Sequence, residues 1–147
     1  MHLYIDGDGC PVVDLAISIA LDYGLQATII CDTAHSYVRD DVDVIVVDQG
    51  RDSADFALLN RLSAFDLLIT QDSGLAALAL GKKAIVLNQN GFEYNEENIL
   101  QILNQRSDGI KIRKKTNRFS HIAKRTMKDD DDFCQGLIIV IERSIHG

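Results

Sequence analysis

Short apolar runs alternate along the chain with longer runs whose apolar residues recur at helical spacing, the pattern of a mostly parallel sheet covered by helices. Strands are expected at Leu3 to Asp6, Ala27 to Cys31, Val44 to Val47, Leu67 to Thr70 and Ala84 to Leu87. Pro11 stands where a first-turn proline opens a helix. That helix runs to about Tyr23, is closed by Gly24, and carries apolar residues all round, which predicts deep burial. A second helix spans about Ser53 to Ala64, with Ala54, Leu58, Leu62 and Phe65 on one stripe, and a third follows Asp72 and stops at Gly81. Asn95 caps a fourth, which carries Ile99, Leu100, Ile102 and Leu103 and places Glu96 and Glu97 in its first turn, where they suit the helix dipole. Thr126 and Asp129 have capping-box spacing and open a C-terminal helix over about 128–145, with Phe133, Leu137, Val140, Ile141 and Ile145 as its apolar stripe. The fold class expected is α/β, a three-layer α/β/α arrangement around a central, mostly parallel five-stranded sheet.

Composition narrows this to one domain over 1–147. A chain of 147 residues, 46% apolar with a single proline, can bury one core and is too short for two ordinary domains. Asp6 and Asp8 interrupt the first apolar stretch, and no run approaches the length of a membrane span, so a soluble, cytoplasmic protein with no membrane partner is expected. Cys10, Cys31 and Cys134 are odd in number and lack zinc or CxxC spacing, which reads as reduced thiols.

The net charge of -7 hides a segregation: nine of the fifteen Lys and Arg residues lie between Arg106 and Lys128, beside a single acid, Asp108. An acidic body thus carries a basic loop or arm at about 106–128. Lys111, Arg113, Lys114, Lys115, Arg118, Lys124, Arg125 and Lys128 suit phosphate groups; the alternative is a solvated loop that offsets the acidic body.

The acids are also ordered. Parallel strands put their C-terminal ends on one edge, where open α/β sheets bind ligands. The first run ends at Asp6 with Asp8 close behind, the second meets Asp32, the third Asp48, and the fourth leads through Gln71 to Asp72. Asp52 and Asp55 open the second helix nearby. Capping is the competing reading for Asp52, Ser53, Asp72 and Ser73, and a plain loop start for Asp32 and Asp48. Asp6 and Asp8 are harder to explain that way, because two carboxylates at the end of a buried strand are costly unless a cation or a proton neutralises them.

Clustered carboxylates suit Mg²⁺ or Mn²⁺, and the chemistry that follows is metal-assisted phosphoryl transfer. Arg51 could grip a phosphate or pair with Asp52 and Asp55. Ser73 and Gly74 could offer backbone N–H groups to an anion. Cys10 lies near a helix N-terminus, which favours thiolate, but the two acids beside it oppose ionisation, so a packed small side chain is the better reading.

Four segments together resemble the YaiI/YqxD family of bacterial proteins: Asp6-Gly7-Asp8-Gly9-Cys10-Pro11; Gly50-Arg51-Asp52-Ser53-Ala54-Asp55; Ile69-Thr70-Gln71-Asp72-Ser73-Gly74-Leu75-Ala76; and Val86-Leu87-Asn88 through Tyr94-Asn95-Glu96-Glu97-Asn98-Ile99. The family's turn usually reads Asp-Ala-Asp-Ala-Cys-Pro; glycine at 7 and 9 loosens it here and leaves both carboxylates. The resemblance implies a PIN-like fold and, with it, the site of a metal-dependent nuclease; with the basic arm from Lys111 to Lys128 to draw in a phosphate backbone, RNA is the expected substrate and partner. It implies Asp6, Asp8, Asp55 and Asp72 as catalytic metal ligands for Mg²⁺ or Mn²⁺. Arg51, Asp52, Ser73, Lys114, Lys115 and Arg118 are the expected contacts to nucleic acid.

Two other functions fit parts of the sequence. Asp6-Gly7-Asp8 after an apolar strand also resembles the nucleophile turn of haloacid-dehalogenase-type phosphatases, though Cys10-Pro11 follows it and no later paired-acid motif does. A non-catalytic nucleic-acid-binding or regulatory module would keep the acids for a structural cation. With 6% aromatic residues, its binding would be led by the backbone phosphates.

Overall fold

The structure, a computed structural model, describes residues 1–32, 39–47, 53–105 and 124–146. Its elements are β1 (His2–Asp6), α1 (Val13–Asp22), β2 (Gln26–Cys31), β3 (Asp43–Val46), α2 (Ser53–Arg61), β4 (Leu67–Ile69), α3 (Ser73–Gly81), β5 (Ile85–Leu87), β6 (Glu93–Tyr94), α4 (96–105) and α5 (Met127–His146). The sheet order is β3-β2-β1-β4-β5-β6, parallel except for β6, which pairs antiparallel with β5. The five expected strands are present, and β6 is the addition. It is two residues long, too short to show a period of its own.

Strand residues alternate between two apolar clusters, one on each face of the sheet. Leu3, Ile5, Ala27, Ile29, Leu67, Ile69 and Leu87 meet α1 and α5 on one side. Tyr4, Ile30, Leu68 and Val86 meet α2, α3 and α4 on the other. The period of two along each strand therefore builds three layers.

Several details of the helices differ from expectation. Pro11 precedes α1 by two residues, in the turn, while the Val12 carbonyl takes the first helical hydrogen bond, from Ala16 N–H at 2.9 Å. α1 is not buried all round: Val13, Ala16, Ile17 and Ala20 face the core, while Leu21 is 43% exposed, because an outer-layer helix keeps a solvent side. α2 stops at Arg61. Ala54, Leu58 and Leu62 are buried as expected, but Phe65 lies beyond the helix in left-handed backbone (φ 70°) and is 70% exposed. Leu100 and Ile145 are likewise exposed.

The caps of α4 and α5 form as read. Asn95 and Asn98 exchange backbone and side-chain hydrogen bonds (2.9 and 2.8 Å), and Thr126 and Asp129 do the same (2.9 and 3.3 Å). α5 is held against the β5–β6 turn by glycine on glycine: a Cβ on Gly136 would stand 2.5 Å from the Gly91 carbonyl oxygen. Among the described residues, no helix is long and apolar enough to cross a membrane.

Candidate functional site at the sheet edge

From β1 the chain steps outward to β2 and β3, then returns to the other side of β1 as β4. The winding direction thus reverses between β1 and β4, and open α/β sheets bind ligands beyond the strand ends at such a point. Asp6 closes β1 there. Alternation carries its side chain to the face of Tyr4, towards α2 and α3, since Ile5 serves the opposite cluster. Ile5 pairs with Ile69, so Thr70 follows on the adjacent strand with the same parity as Asp6. Its hydroxyl donates to Asp6 Oδ2 at 2.8 Å and accepts the Asp72 backbone N–H at 3.0 Å.

The turn after Asp6 is tied on both flanks. Gly7 N–H donates to the Ile30 carbonyl at 2.8 Å, and Asp8 Oδ2 accepts the Asp32 backbone N–H at 2.9 Å. The Gln71 side-chain amide donates to the Gly9 carbonyl at 2.6 Å. Gly9 has φ +73°, a left-handed conformation that glycine adopts without strain, so its glycine fits the turn rather than merely loosening it.

Two helix starts close the site. α2 begins at Ser53 and brings Asp55 in its first turn. α3 is capped by Asp72, whose Oδ1 accepts Gly74 N–H at 2.8 Å and Leu75 N–H at 3.3 Å. Capping and site membership therefore coincide in Asp72. The expectation that Gly74 offers its N–H to an anion is corrected, because the cap already takes it. Asp6, Asp8, Asp32, Asp55, Asp72 and Ser73 are among the residues that line one open recess of about 630 Å³.

Crowding of acids shows in their chemistry. The Asp6 carboxyl is pushed up from 3.8 to about 6, mainly by burial and further by Asp55, Asp8 and Asp72, while the Thr70 hydrogen bond opposes the rise. Cys10 goes up to about 11, again mainly by burial and also by Asp6, so at neutral pH it is a thiol. Oxygen donors around a carboxylate that is costly to ionise are a fitting seat for a hard divalent cation. Among the described residues no three carboxylate, imidazole or thiol groups converge into a ready-made metal cage. Mg²⁺ commonly needs only one or two carboxylates and keeps its remaining waters.

The structure thus brings Asp6, Asp8, Asp55, Asp72 and Ser73 together. Asp48, Arg51, Asp52, Lys111, Arg113, Lys114, Lys115 and Arg118 lie outside the described residues. At the end of the basic segment, Arg125 and Lys128 are held by acids of α5, with Arg125 Nε 2.6 Å from Asp130 and Lys128 Nζ 3.0 Å from Asp132. Both thus pair with acids of their own chain, and the Lys128 side chain stays 83% exposed. Sequence reasoning missed Thr70 and Gln71 as site residues. Register was the signal for Thr70, a polar residue one step beyond an apolar strand that pairs with the strand of Asp6.

The profile of the family described as "Uncharacterized BCR, YaiI/YqxD family" matches residues 4–143. Relatives named "UPF0178 protein" include one from Alkaliphilus oremlandii, 41% identical over 99% of this chain and 94% of its own. One from Exiguobacterium sibiricum is 44% identical over 92% of both chains. One from Enterococcus faecalis is 38% identical over 99% of this chain and 100% of its own. No solved structure matches the chain.

Proposed function

Since the chain belongs to the YaiI/YqxD family, whose name states no activity, we propose from its site that it is a PIN-like, Mg²⁺- or Mn²⁺-dependent nuclease hydrolysing RNA in the cytoplasm. The observation that carries this is Asp6: a largely buried carboxyl raised to about 6, with Asp55, Asp8 and Asp72 all adding to the rise, at the point where the sheet reverses its winding.

Asp6 and Asp72 are the central ligands in this reading, with Asp8 and Asp55 completing the oxygen donors. A bound Mg²⁺ or Mn²⁺ would supply a water of lowered pKa and neutralise charge on the phosphate and leaving oxygens. The chain's own residues fix the frame. Thr70 holds the Asp6 carboxylate by a 2.8 Å hydrogen bond, so that one oxygen is oriented and the ionised form favoured. The Asp72 cap fixes that carboxylate against the first turn of α3. Gln71 holds the Gly9 carbonyl and with it the mouth of the recess. The acidic walls would repel a bare polyanion, which makes binding depend on the cation and on the basic residues Arg51, Lys114, Lys115 and Arg118.

The test is cleavage of single-stranded RNA by wild type, Asp6→Asn and Asp72→Asn, with Mg²⁺, with Mn²⁺ and with EDTA. Metal-dependent cleavage of internal phosphodiesters that both variants lose, while keeping a cooperative unfolding transition, is expected. Equal cleavage by all three proteins would overturn the assignment. Release of inorganic phosphate from monoesters alone would favour the phosphatase reading.

A further inference from the structure

A second concavity adjoins the acidic recess. It runs between α2 and α3, has a volume of about 330 Å³, and is walled by Phe56, Leu59, Leu75 and Leu78 with Asp55 and Asp72 at its rim. The same two acids line the recess, so the apolar groove and the carboxylates form one continuous surface. Phe56 is 64% exposed and Leu78 58% exposed. α2 buries Ala54 and Leu58 and turns Phe56 away from the core, although the helix could have kept a polar residue there.

We propose that this groove seats a nucleobase next to the phosphate held in the acidic recess, with Phe56 as its stacking face, so that the substrate class is single-stranded nucleic acid. The proposal rests on the phosphodiester reading above. Three observations select this occupant. A phosphate held in the recess carries its neighbouring base towards Asp55 and Asp72, the two acids that the recess shares with the groove. The groove lies at the small end of ligand pockets, the size of a ring system rather than of a protein segment. Phe56, Leu59, Leu75 and Leu78 give it an apolar side beside the two acids, which suits the face of any base and gives stacking with little sequence preference. A paired base is not available for such stacking, so a duplex would have to be opened first.

The experiment compares cleavage of a short single-stranded RNA with the same strand carrying an abasic residue beside the scissile phosphate. Wild type should prefer the intact strand in kcat/KM, by about tenfold, the size of one stacked base. Phe56→Ala should bring the ratio to about one by lowering the intact-strand value, Phe56→Tyr should restore it, and Phe65→Ala, at the far end of the sheet, should keep it. Loss of activity on both strands in equal measure belongs to Asp6→Asn instead. If wild type cleaves RNA and Phe56→Ala keeps the full preference, the groove is not a base seat and the nuclease reading survives. If wild type cleaves neither strand, both readings fall. A dimer in sedimentation that Phe56→Ala dissociates would assign the groove to a second copy and overturn the proposal.

Discussion

The Thr70 hydroxyl donates to the Asp6 carboxylate across 2.8 Å, joining the C-terminal ends of two adjacent parallel strands. Because the same hydroxyl accepts the Asp72 N–H, one buried side chain sets both the acid of β1 and the cap of α3. The site is thereby coupled to the sheet register, and the residues that shape it can be separated by experiment.

Asp6 makes the fold pH-sensitive. Its carboxyl stands at about 6 in the folded chain against an ordinary 3.8, so folding favours the protonated form. The stability this contributes is fully present below 3.8 and is lost as pH rises through about 6. Asp6→Asn, which can still accept from Thr70, should therefore stabilise the metal-free protein at pH 8 by up to about 3 kcal/mol and leave it unchanged near pH 4. Urea denaturation of both proteins at the two pH values checks the sign; a destabilised variant at pH 8 would contradict it.

Thr70→Val keeps shape and removes the hydroxyl. It leaves the Asp6 carboxylate without its donor and the Asp72 N–H without its acceptor, a loss of about 1–3 kcal/mol, while Thr70→Ser should cost less. The pKa of Asp6, followed by carboxyl-carbon NMR, should rise in Thr70→Val. An unchanged titration would show that the hydrogen bond does not hold the acid.

Asp72 has two roles that substitution can divide. Asp72→Ala removes the cap and should destabilise α3 by about 1 kcal/mol. Asp72→Asn keeps a capping oxygen and loses only the charge. Thermal unfolding should separate the two variants, whereas both should lose Mn²⁺-dependent stabilisation.

Gly136→Ala offers a test of the fold in which propensity and packing predict opposite signs. In an exposed helix the change would stabilise by about 1 kcal/mol. Here the new methyl would meet the Gly91 backbone at 2.5 Å, so destabilisation of about 1–3 kcal/mol is expected from overpacking. A raised melting temperature would mean that α5 and the β5–β6 turn are not in this contact.

Much of this was legible in the sequence because it depended on local period and on strand ends. The alternation of Leu3, Tyr4 and Ile5 fixes two core faces, and the acids after β1 and β4 mark the edge they share. What depended on pairing was not legible. Thr70 ends an apolar run and becomes a site residue only through the Ile5–Ile69 register. Arg125 and Lys128 read only as members of a basic segment, and their pairing with Asp130 and Asp132 shows once α5 is in place. Phe65 continues the stripe of α2 by spacing, yet the helix ends at Arg61, and the chain turns through left-handed backbone that leaves the ring in solvent.

The central claim is that the acidic recess holds a divalent cation, and diffraction at the manganese edge from crystals soaked in Mn²⁺ tests it most directly. The account predicts an anomalous peak at coordination distance from Asp6, shared with at least one of Asp8, Asp55 and Asp72 and completed by waters, and absent in crystals of Asp6→Asn. A fully soaked wild-type crystal with no peak in the recess, or with an equal peak in the variant, would contradict it.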